Sequence, residues 1–249
     1  MVRSLSGRAA ETREHDGGSG AGAARPSAAE RDAARNALAT ALAAHGLPAV
    51  SPPAPLVDYL ALLVRWRTRR RIAGPADPVE LAVEALVDAW FADEVVPRDG
   101  ALVDVGSGAG FPGIPLAVLG GERRVTLVEP AAARAALLRV AAATLALPLR
   151  VLAVRGEHLA DEVAAGREPA ADTAIARAFR APDGWLALAA RLVRPGGSAI
   201  VLAARSWPGP DPGAAWTTVA RRDYALRGRA PRSAWRLRST GAAASPILP

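Results

Sequence analysis

Four glycines follow an acidic residue within ten positions near the middle of the chain. Residues 101–115 read ALVDVGSGAGFPGIP, in which a short apolar run ends at Asp104 and Gly106, Gly108 and Gly110 follow at alternate positions. Glycine has no Cβ, so the backbone can turn sharply and approach a ligand closely. A strand, a tight turn and a helix start, in this order, bind nucleotide-like ligands in open α/β sheets. The segment therefore predicts a turn that contacts such a ligand.

Two phosphate-binding alternatives fit this turn poorly. A P-loop needs Gly-Lys-Ser/Thr after its glycines, and all 31 basic residues of this chain are arginines. A dinucleotide-binding turn has the pattern G-x-G-x-x-G. One register of that pattern places Phe111 at the third glycine, and the other encloses Pro112. Both are therefore disfavoured.

S-adenosylmethionine binding fits better, because its signature is an acidic residue followed by G-x-G-x-G, as in residues 104–110. Glu129 ends the second predicted strand, where a carboxylate can accept both ribose hydroxyls. Glu157 follows the third, where it can contact the adenine amine. Alternatively, Glu129 is a solvated strand-end residue, and Arg155 or a loop N–H satisfies Glu157. The predicted cofactor-binding residues are Asp104, Gly106, Ser107, Gly108, Gly110, Phe111, Glu129, Gly156, Glu157 and Arg177.

Composition limits the remaining functions. With 249 residues, 51% of them hydrophobic, the chain can bury a substantial core. The absence of cysteine excludes disulfides and a cysteine nucleophile, and the three histidines share no metal-ligand spacing. No apolar run approaches the roughly 18 residues of a transmembrane helix, and the first residues lack the apolar core of a signal peptide. We expect a cytoplasmic monomer with no metal and no membrane partner.

The rest of the chain must supply the elements that position the turn. Residues 1–34 have few large apolar side chains and predict a disordered tail. Residues 35–98 predict an N-terminal helical region, with helices over 35–45, 55–71 and 77–91. Asp77 is the expected N-cap of the last helix, with Pro78 at its first position.

Residues 99–249 alternate between strand and helix patterns, which favours a parallel sheet covered on both faces. This part is the predicted catalytic domain, and an antiparallel hairpin is expected at the sheet edge after residue 207. The predicted strands cover residues 101–105, 124–129, 150–155, 172–176 and 198–203. The predicted helices cover residues 112–119, 131–145 and 183–193.

Residues 104–116, DVGSGAGFPGIPL, resemble the signature of the RsmG (GidB) family of small-subunit ribosomal RNA methyltransferases. Residues 155–157 resemble the family's Arg-Ala-Glu segment, and residues 176–179 its Ser/Ala-Arg-Ala motif. Order and spacing agree over roughly 60% of the chain. The resemblance implies a Rossmann-like α/β class I methyltransferase with an N-terminal helical extension. It further implies methyl transfer from S-adenosylmethionine to guanine N7 in 16S rRNA.

The chain departs from the family mainly in its substrate-binding half. Glu84 or Ala85 stands where the family has a histidine, Arg-Arg-Ile at 70–72 replaces Asn-Leu-Thr, and Ala133 with Arg134 replaces a lysine pair. A family lysine also falls near residues 203–205. These changes leave two alternatives open: a catalytically weakened RNA- or ribosome-binding paralogue, or a methyltransferase with another substrate.

Methylation at guanine N7 removes no proton, so it requires alignment of the base rather than a general base. The chain also lacks the Asn/Asp-Pro-Pro-aromatic tetrapeptide used on exocyclic amines. Arg177, after the fourth strand, is the expected catalytic residue and would hold the target or the methionine end of the cofactor. Its alternative role is a salt bridge to Asp104 or Glu157.

Two arginine-rich segments are the expected contacts to the 16S rRNA, in keeping with a net charge of +7. Aromatic residues interleave the second segment, which suggests stacking on exposed bases. The first segment contains Arg65, Arg67, Arg69, Arg70 and Arg71. The second contains Arg221, Arg222, Arg227, Arg229, Arg232, Arg236 and Arg238, with Trp216, Tyr224 and Trp235.

Overall fold

The computed structural model describes residues 25–47, 52–70, 75–211 and 215–241, with the backbone alone for residues 68–70. Within these ranges seven strands form one sheet. The strands are β1 (Ala101–Val105), β2 (Arg124–Val128), β3 (Arg150–Leu152), β4 (Ala171–Ala176), β5 (Val193–Ala204), β6 (Trp216–Tyr224) and β7 (Arg232–Ser239). Their order is β3-β2-β1-β4-β5-β7-β6; β1 to β5 pair in parallel, and β7 is antiparallel to both of its neighbours.

Helices cover both faces of the sheet. They are α1 (Ala28–Ala43), α2 (Ala54–Arg70), α3 (Pro78–Ala82), α4 (Asp88–Asp93), α5 (Gly113–Leu119), α6 (Ala132–Thr144), α7 (Gly156–Ala164) and α8 (Pro182–Leu192). A π-helical segment, Val83–Val87, joins α3 to α4 in one continuous helical run. In the described part of the chain, no helix is both long and apolar enough to cross a membrane.

Alternation along the strands produces two apolar cores, because successive strand side chains point to opposite faces. Leu102 and Ile175 pack with α1, α2, α4, α5 and α6 on the first face. Val103, Val105 and Ala174 pack with α7 and α8 on the second. The N-terminal helices therefore cover the first face close to the carboxyl end of β1.

Most predicted elements are confirmed, including helix α2, strand β1 and the antiparallel hairpin at the sheet edge. Asp77 caps α3 as expected, with its carboxylate accepting from the backbone N–H groups of Val79 and Glu80. The predicted strand over 150–155 ends early, at Leu152, because helix α7 begins at Gly156. That helix was missed, and β5 is longer than predicted because it includes the turn at residues 194–197.

The predicted start of the first helix was wrong. Helix α1 begins at Ala28 instead of residue 35, so residues 28–34 are helical and do not belong to a disordered tail. A capping box sets this start: the Ser27 hydroxyl accepts from the Glu30 N–H, and the Glu30 carboxylate accepts from the Ser27 N–H. The remainder of the predicted tail, residues 1–24, lies outside the described residues.

Candidate active site

The glycine turn leaves β1 and is fixed to the neighbouring strand. The backbone N–H groups of Gly106 and Ser107 donate to the Val128 carbonyl at 2.8 and 3.1 Å. The Ser107 hydroxyl donates to the Asp104 carbonyl at 2.9 Å, and the Gly113 N–H donates to the Asp104 carboxylate at 3.0 Å. These bonds bring the end of β1 and the start of α5 together, so the turn has a defined shape at the carboxyl edge of the sheet.

The glycines of this turn differ in what surrounds them. A Cβ on Gly110 would lie 2.5 Å from the Tyr59 hydroxyl oxygen, and one on Gly113 would overlap Leu127. At Gly108, by contrast, a Cβ would have no heavy atom nearer than the Gly106 carbonyl oxygen at 3.9 Å. Gly108 also has a positive φ of 59°, where a side chain is disfavoured. The open space at Gly108 is therefore where a ligand can approach the backbone.

Glu129 faces this opening. Only 2% of the residue is exposed, so it is not a solvated strand-end residue. Its Oε2 accepts from the Gly108 N–H at 2.9 Å, and its Oε1 accepts from the Ala131 N–H at 2.9 Å. Arg134 pairs with Oε1 at 2.8 Å from the more exposed side. The carboxylate is thus held in one orientation against the glycine turn.

Asp104 is completely buried below the turn. Burial raises the pKa of Asp104 to about 7, although the hydrogen bond from the Gly113 N–H favours the ionised form. Its Oδ1 has no hydrogen-bond partner among the described residues. Asp104 therefore takes up a proton near neutral pH.

Replacing Asp104 with asparagine should change the pH dependence of stability in the cofactor-free protein. Between the unfolded pKa near 4 and the folded pKa near 7, the native state binds one more proton than the unfolded chain. The wild-type free energy of unfolding should therefore fall with rising pH, by at most about 1.4 kcal/mol per pH unit. The asparagine side chain cannot titrate, but it can still accept from Gly113. Urea denaturation at pH 5 and pH 8 should show Asp104→Asn gaining stability relative to wild type as the pH rises; a pH-independent difference would contradict this prediction.

The N-terminal helices support the turn through Tyr59, a residue that sequence analysis missed. Tyr59 lies on α2, is fully buried, and donates its hydroxyl to the Ala109 carbonyl at 2.5 Å. Its ring also packs against Phe111 with 5.7 Å between the centroids. Tyr59 belongs to the apolar pattern of its helix, so the sequence carried no separate signal for this contact.

Arg177 follows β4 and turns towards the N-terminal helices instead of pairing with Asp104 or Glu157. Its guanidinium donates to the carbonyl and the carboxylate of Glu84, the latter at 3.1 Å, and lies 3.6 Å from the Asp88 carboxylate. It also lies over the Phe111 ring at 5.8 Å. Only 16% of the side chain is exposed. The alternative role predicted for Arg177, a salt bridge to Asp104 or Glu157, was therefore wrong.

The π-helical segment explains why the Glu84 carbonyl is available to Arg177. In an α-helix the Asp88 N–H would bond the Glu84 carbonyl, but here it donates to Val83. Glu84 is also one of the positions where the sequence departs from the RsmG pattern. In the structure Glu84 is an acidic partner of Arg177, whose guanidinium lies over the Phe111 ring.

Gly156 and Glu157 begin helix α7 at the same sheet edge. Gly156 is buried, and a Cβ there would lie 2.6 Å from Val105. The Glu157 carboxylate pairs with Arg180. The alternative prediction, that Arg155 or a loop N–H satisfies Glu157, was therefore wrong. Gly156 therefore lets α7 approach β1 closely, and Glu157 stays partly exposed at the carboxyl edge of the sheet.

Acidic residues pair with part of the second arginine-rich segment, and three of these acidic residues come from distant parts of the chain. Within the described ranges, four of its arginines form ion pairs: Arg221 with Asp223, Arg222 with Glu94, Arg229 with Glu84 and Arg232 with Asp88. Trp216, Tyr224 and Trp235 are each at most 7% exposed. The expectation that these aromatic side chains stack on exposed bases was wrong, because they point into the protein.

In the first segment, the structure describes the side chains of Arg65 and Arg67 but not those of residues 69–71. Arg65 is 10% exposed and pairs with Glu30 at 2.6 Å. The predicted RNA contact of this segment therefore rests mainly on residues whose side chains lie outside the description. No group of three or more potential metal ligands occurs among the residues with described side chains.

The sheet order and the glycine turn after β1 together define a class I S-adenosylmethionine-dependent methyltransferase. A family model described as rRNA small subunit methyltransferase G matches residues 54–207, which is more than half of the chain. The chain belongs to this family.

Two relatives of this chain carry the same family name. The chain is 34% identical over 170 residues to the ribosomal RNA small subunit methyltransferase G of Anaeromyxobacter sp. (strain Fw109-5), which covers 68% of this chain and 78% of the relative. It is 40% identical over 151 residues to the protein of the same name from Xanthomonas axonopodis pv. citri (strain 306), covering 60% and 68%. Among solved structures, the match to an rRNA methylase from Streptococcus thermophilus covers 61% of this chain and 94% of the methylase chain, with 15% identity and a TM-score of 0.42.

Proposed function

We infer that the protein transfers a methyl group from S-adenosylmethionine to guanine N7 in 16S rRNA of the small ribosomal subunit. The observation that carries this inference is the open Gly108 beside the buried Glu129, within a chain of the rRNA small subunit methyltransferase G family. In keeping with an rRNA substrate, we propose that the protein works in the cytoplasm. We further propose that it acts as a monomer.

The residues around the turn fit S-adenosylmethionine. Gly108 leaves room for a ligand against the backbone, and Glu129 presents a carboxylate whose remaining lone pairs can accept from ribose hydroxyls. Glu157, at the start of α7, would contact the adenine. Asp104, Gly106, Ser107, Gly110 and Gly156 would act by shaping the turn and its surroundings.

We assign the methionine end of the cofactor to Phe111 and Arg177. The Arg177 guanidinium is held over Phe111 by Glu84 and Asp88, so its direction is fixed before any ligand binds. Among the described residues these contacts leave part of the five-donor guanidinium without a partner. Arg177 can therefore donate to a carboxylate or to the target base.

Methyl transfer to guanine N7 requires the base to be aligned with the methyl group. S-adenosylmethionine supplies a methyl group on a positively charged sulfur. Guanine N7 has an in-plane lone pair and loses no proton when it is methylated, so the protein needs to hold the base in line with the methyl group. The site agrees with this requirement, because its fixed elements are the shaped turn, Glu129 and Arg177 rather than a general base.

Methyl incorporation tests the function directly. Labelled S-adenosylmethionine should transfer its methyl group to purified 30S subunits or to deproteinised 16S rRNA, and borohydride and aniline should then cleave at one N7-methylguanine. The catalytically weakened paralogue would bind the cofactor in calorimetry and label neither RNA. A small-molecule methyltransferase would instead retain activity in the presence of RNA competitors.

A further inference from the structure

A cleft of about 440 Å³ lies at the same sheet edge as the glycine turn, on the face covered by α7 and α8. It is situated between the loop after β4 and the end of β5, and none of the residues assigned to the cofactor lines it. Its volume lies in the range of small-ligand sites. The lining residues that matter here are Phe179, Arg180, Trp185, Ala204, Ser206 and Trp207.

Phe179 lines this cleft and also packs against the glycine turn. A Cβ on Gly106 would lie 2.9 Å from the Phe179 ring, so the ring is packed directly against the turn. On its other side Phe179 meets Trp185 edge to face, with 6.2 Å between the ring centroids. The cleft therefore adjoins the glycine turn, and the two share the Phe179 side chain.

The backbone after β4 is strained at the residue that directs Phe179. Ala178 has a φ of 50°, a left-handed conformation that is uncommon for residues with a Cβ and is concentrated at functional sites. Before it, Arg177 packs on the face of the N-terminal helices; after it, Phe179 packs on the face of α7 and α8. The left-handed conformation of Ala178 therefore directs Arg177 and Phe179 to opposite faces of the sheet at the same edge.

The aromatic lining suits the charge change in the proposed reaction. The N7 lone pair forms the new bond to the methyl carbon, and the carbon–sulfur bond breaks with its electron pair remaining on sulfur. The cofactor becomes a neutral thioether, and the guanine ring acquires the positive charge. Aromatic faces attract cations, so rings stacked on the base stabilise the transition state more than the neutral substrate.

We propose that this aromatic cleft binds the target guanine base during methyl transfer, with Trp207 stacking on its ring. Trp207 is half-buried on the loop after β5, where Trp235 supports it edge to face at 5.3 Å. The exposed Arg180 and Ser206 supply hydrogen-bond donors at the rim. The proposal rests on the proposed function for the identity of the base.

Filling the cleft tests the proposal without removing any packing. Ala204 is exposed at the end of β5 and lines the cleft, so Ala204→Phe should place a ring inside it. We expect kcat/KM for 30S methylation to fall roughly tenfold or more, because the base loses its position relative to the methyl group. The dissociation constant of S-adenosylmethionine should not change. Ala143→Phe, at an exposed position of α6 outside the cleft, is the matched control and should leave both values unchanged.

A second test removes an aromatic ring from the cleft instead of adding one. Trp207→Ala should lower kcat/KM for 30S subunits roughly fivefold or more through loss of stacking, and Trp207→Phe should recover most of it. Quenching of tryptophan fluorescence by 7-methyl-GMP, which carries the product's charge, should be stronger than by GMP. This preference should be lost in Ala204→Phe.

The possible outcomes distinguish failure of the cleft proposal from failure of the proposed function. If the wild type methylates 30S subunits and Ala204→Phe does so equally well, the cleft does not bind the base. If Ala204→Phe weakens S-adenosylmethionine binding instead, the cleft belongs to the cofactor and the proposal is wrong. If the wild type transfers no methyl group, the proposed function fails. In that case the quenching by 7-methyl-GMP tests separately whether the cleft binds a guanine base. Equal quenching in wild type and Ala204→Phe would show that it does not.

Discussion

Replacing Gly108 with valine should abolish binding of S-adenosylmethionine while the protein remains folded. The position has a φ of 59°, and an added Cβ would have no heavy atom nearer than 3.9 Å, so a side chain there extends into the space proposed for the ligand. The left-handed backbone costs a residue with a Cβ roughly 1–2 kcal/mol, which a domain of this kind survives. Isothermal titration calorimetry should show at least about a hundredfold loss of affinity, because the close backbone approach is removed.

Gly166→Val is the matched control for that substitution. Gly166 also has a positive φ, 69°, with nothing within 4 Å of a Cβ, and it lies at the end of α7 away from the turn. Both variants should therefore lose a similar amount of thermal stability. Only Gly108→Val should lose the cofactor; equal affinity in the two variants would show that the turn has been wrongly assigned.

The shape of the glycine turn was predictable because its signal is local. The acidic residue, the glycine spacing and the apolar strand lie within residues 101–115, and each has a backbone consequence that depends on its neighbours alone. The position of Glu129 beside the turn was predictable for a related reason: parallel strands end at one sheet edge, so residues after successive strands meet there. Its burial and its bond to Gly108 add what the sequence did not contain.

The partners of Arg177 were not predictable, because they come from a distant element. Glu84 is 93 positions away and reaches Arg177 only because α3, the π-helical segment and α4 pack over the first face of the sheet. The same reasoning explains the arginine-rich segment near the C-terminus. Along the chain its positive charge has little local compensation, but in space Glu84, Asp88 and Glu94 pair with three of its seven arginines.

Asp88 is the centre of this long-range network. It is 1% exposed and accepts from the Tyr224 hydroxyl at 2.6 Å and from Arg232 at 3.1 Å, in addition to its contact with Arg177. It therefore joins the helical run, the end of β4 and both strands of the edge hairpin. Removing a buried carboxylate of this kind is costly, because Arg232 would lose its ion pair with Asp88 and Arg177 would keep only Glu84.

Replacing Asp88 with alanine should lower the free energy of unfolding by about 3–5 kcal/mol, the usual cost of breaking a buried ion pair by removing one partner. Glu94→Ala is the appropriate control, because Glu94 pairs with Arg222 at an exposed position and should cost at most about 1 kcal/mol. Urea denaturation measures both. Comparable losses in the two variants would mean that the network around Asp88 contributes no more than a surface pair.

Asp88→Asn separates the charge from the hydrogen bond. Asparagine keeps an acceptor for Tyr224 but removes the negative charge next to Arg177 and Arg232, so its stability should lie between those of wild type and Asp88→Ala. Because Arg177 then loses one of the groups that direct it towards Phe111, we expect kcat for 30S methylation to fall in Asp88→Asn even where the protein is fully folded. An unchanged kcat would show that Glu84 alone positions Arg177, and that Asp88 serves the fold without serving the site.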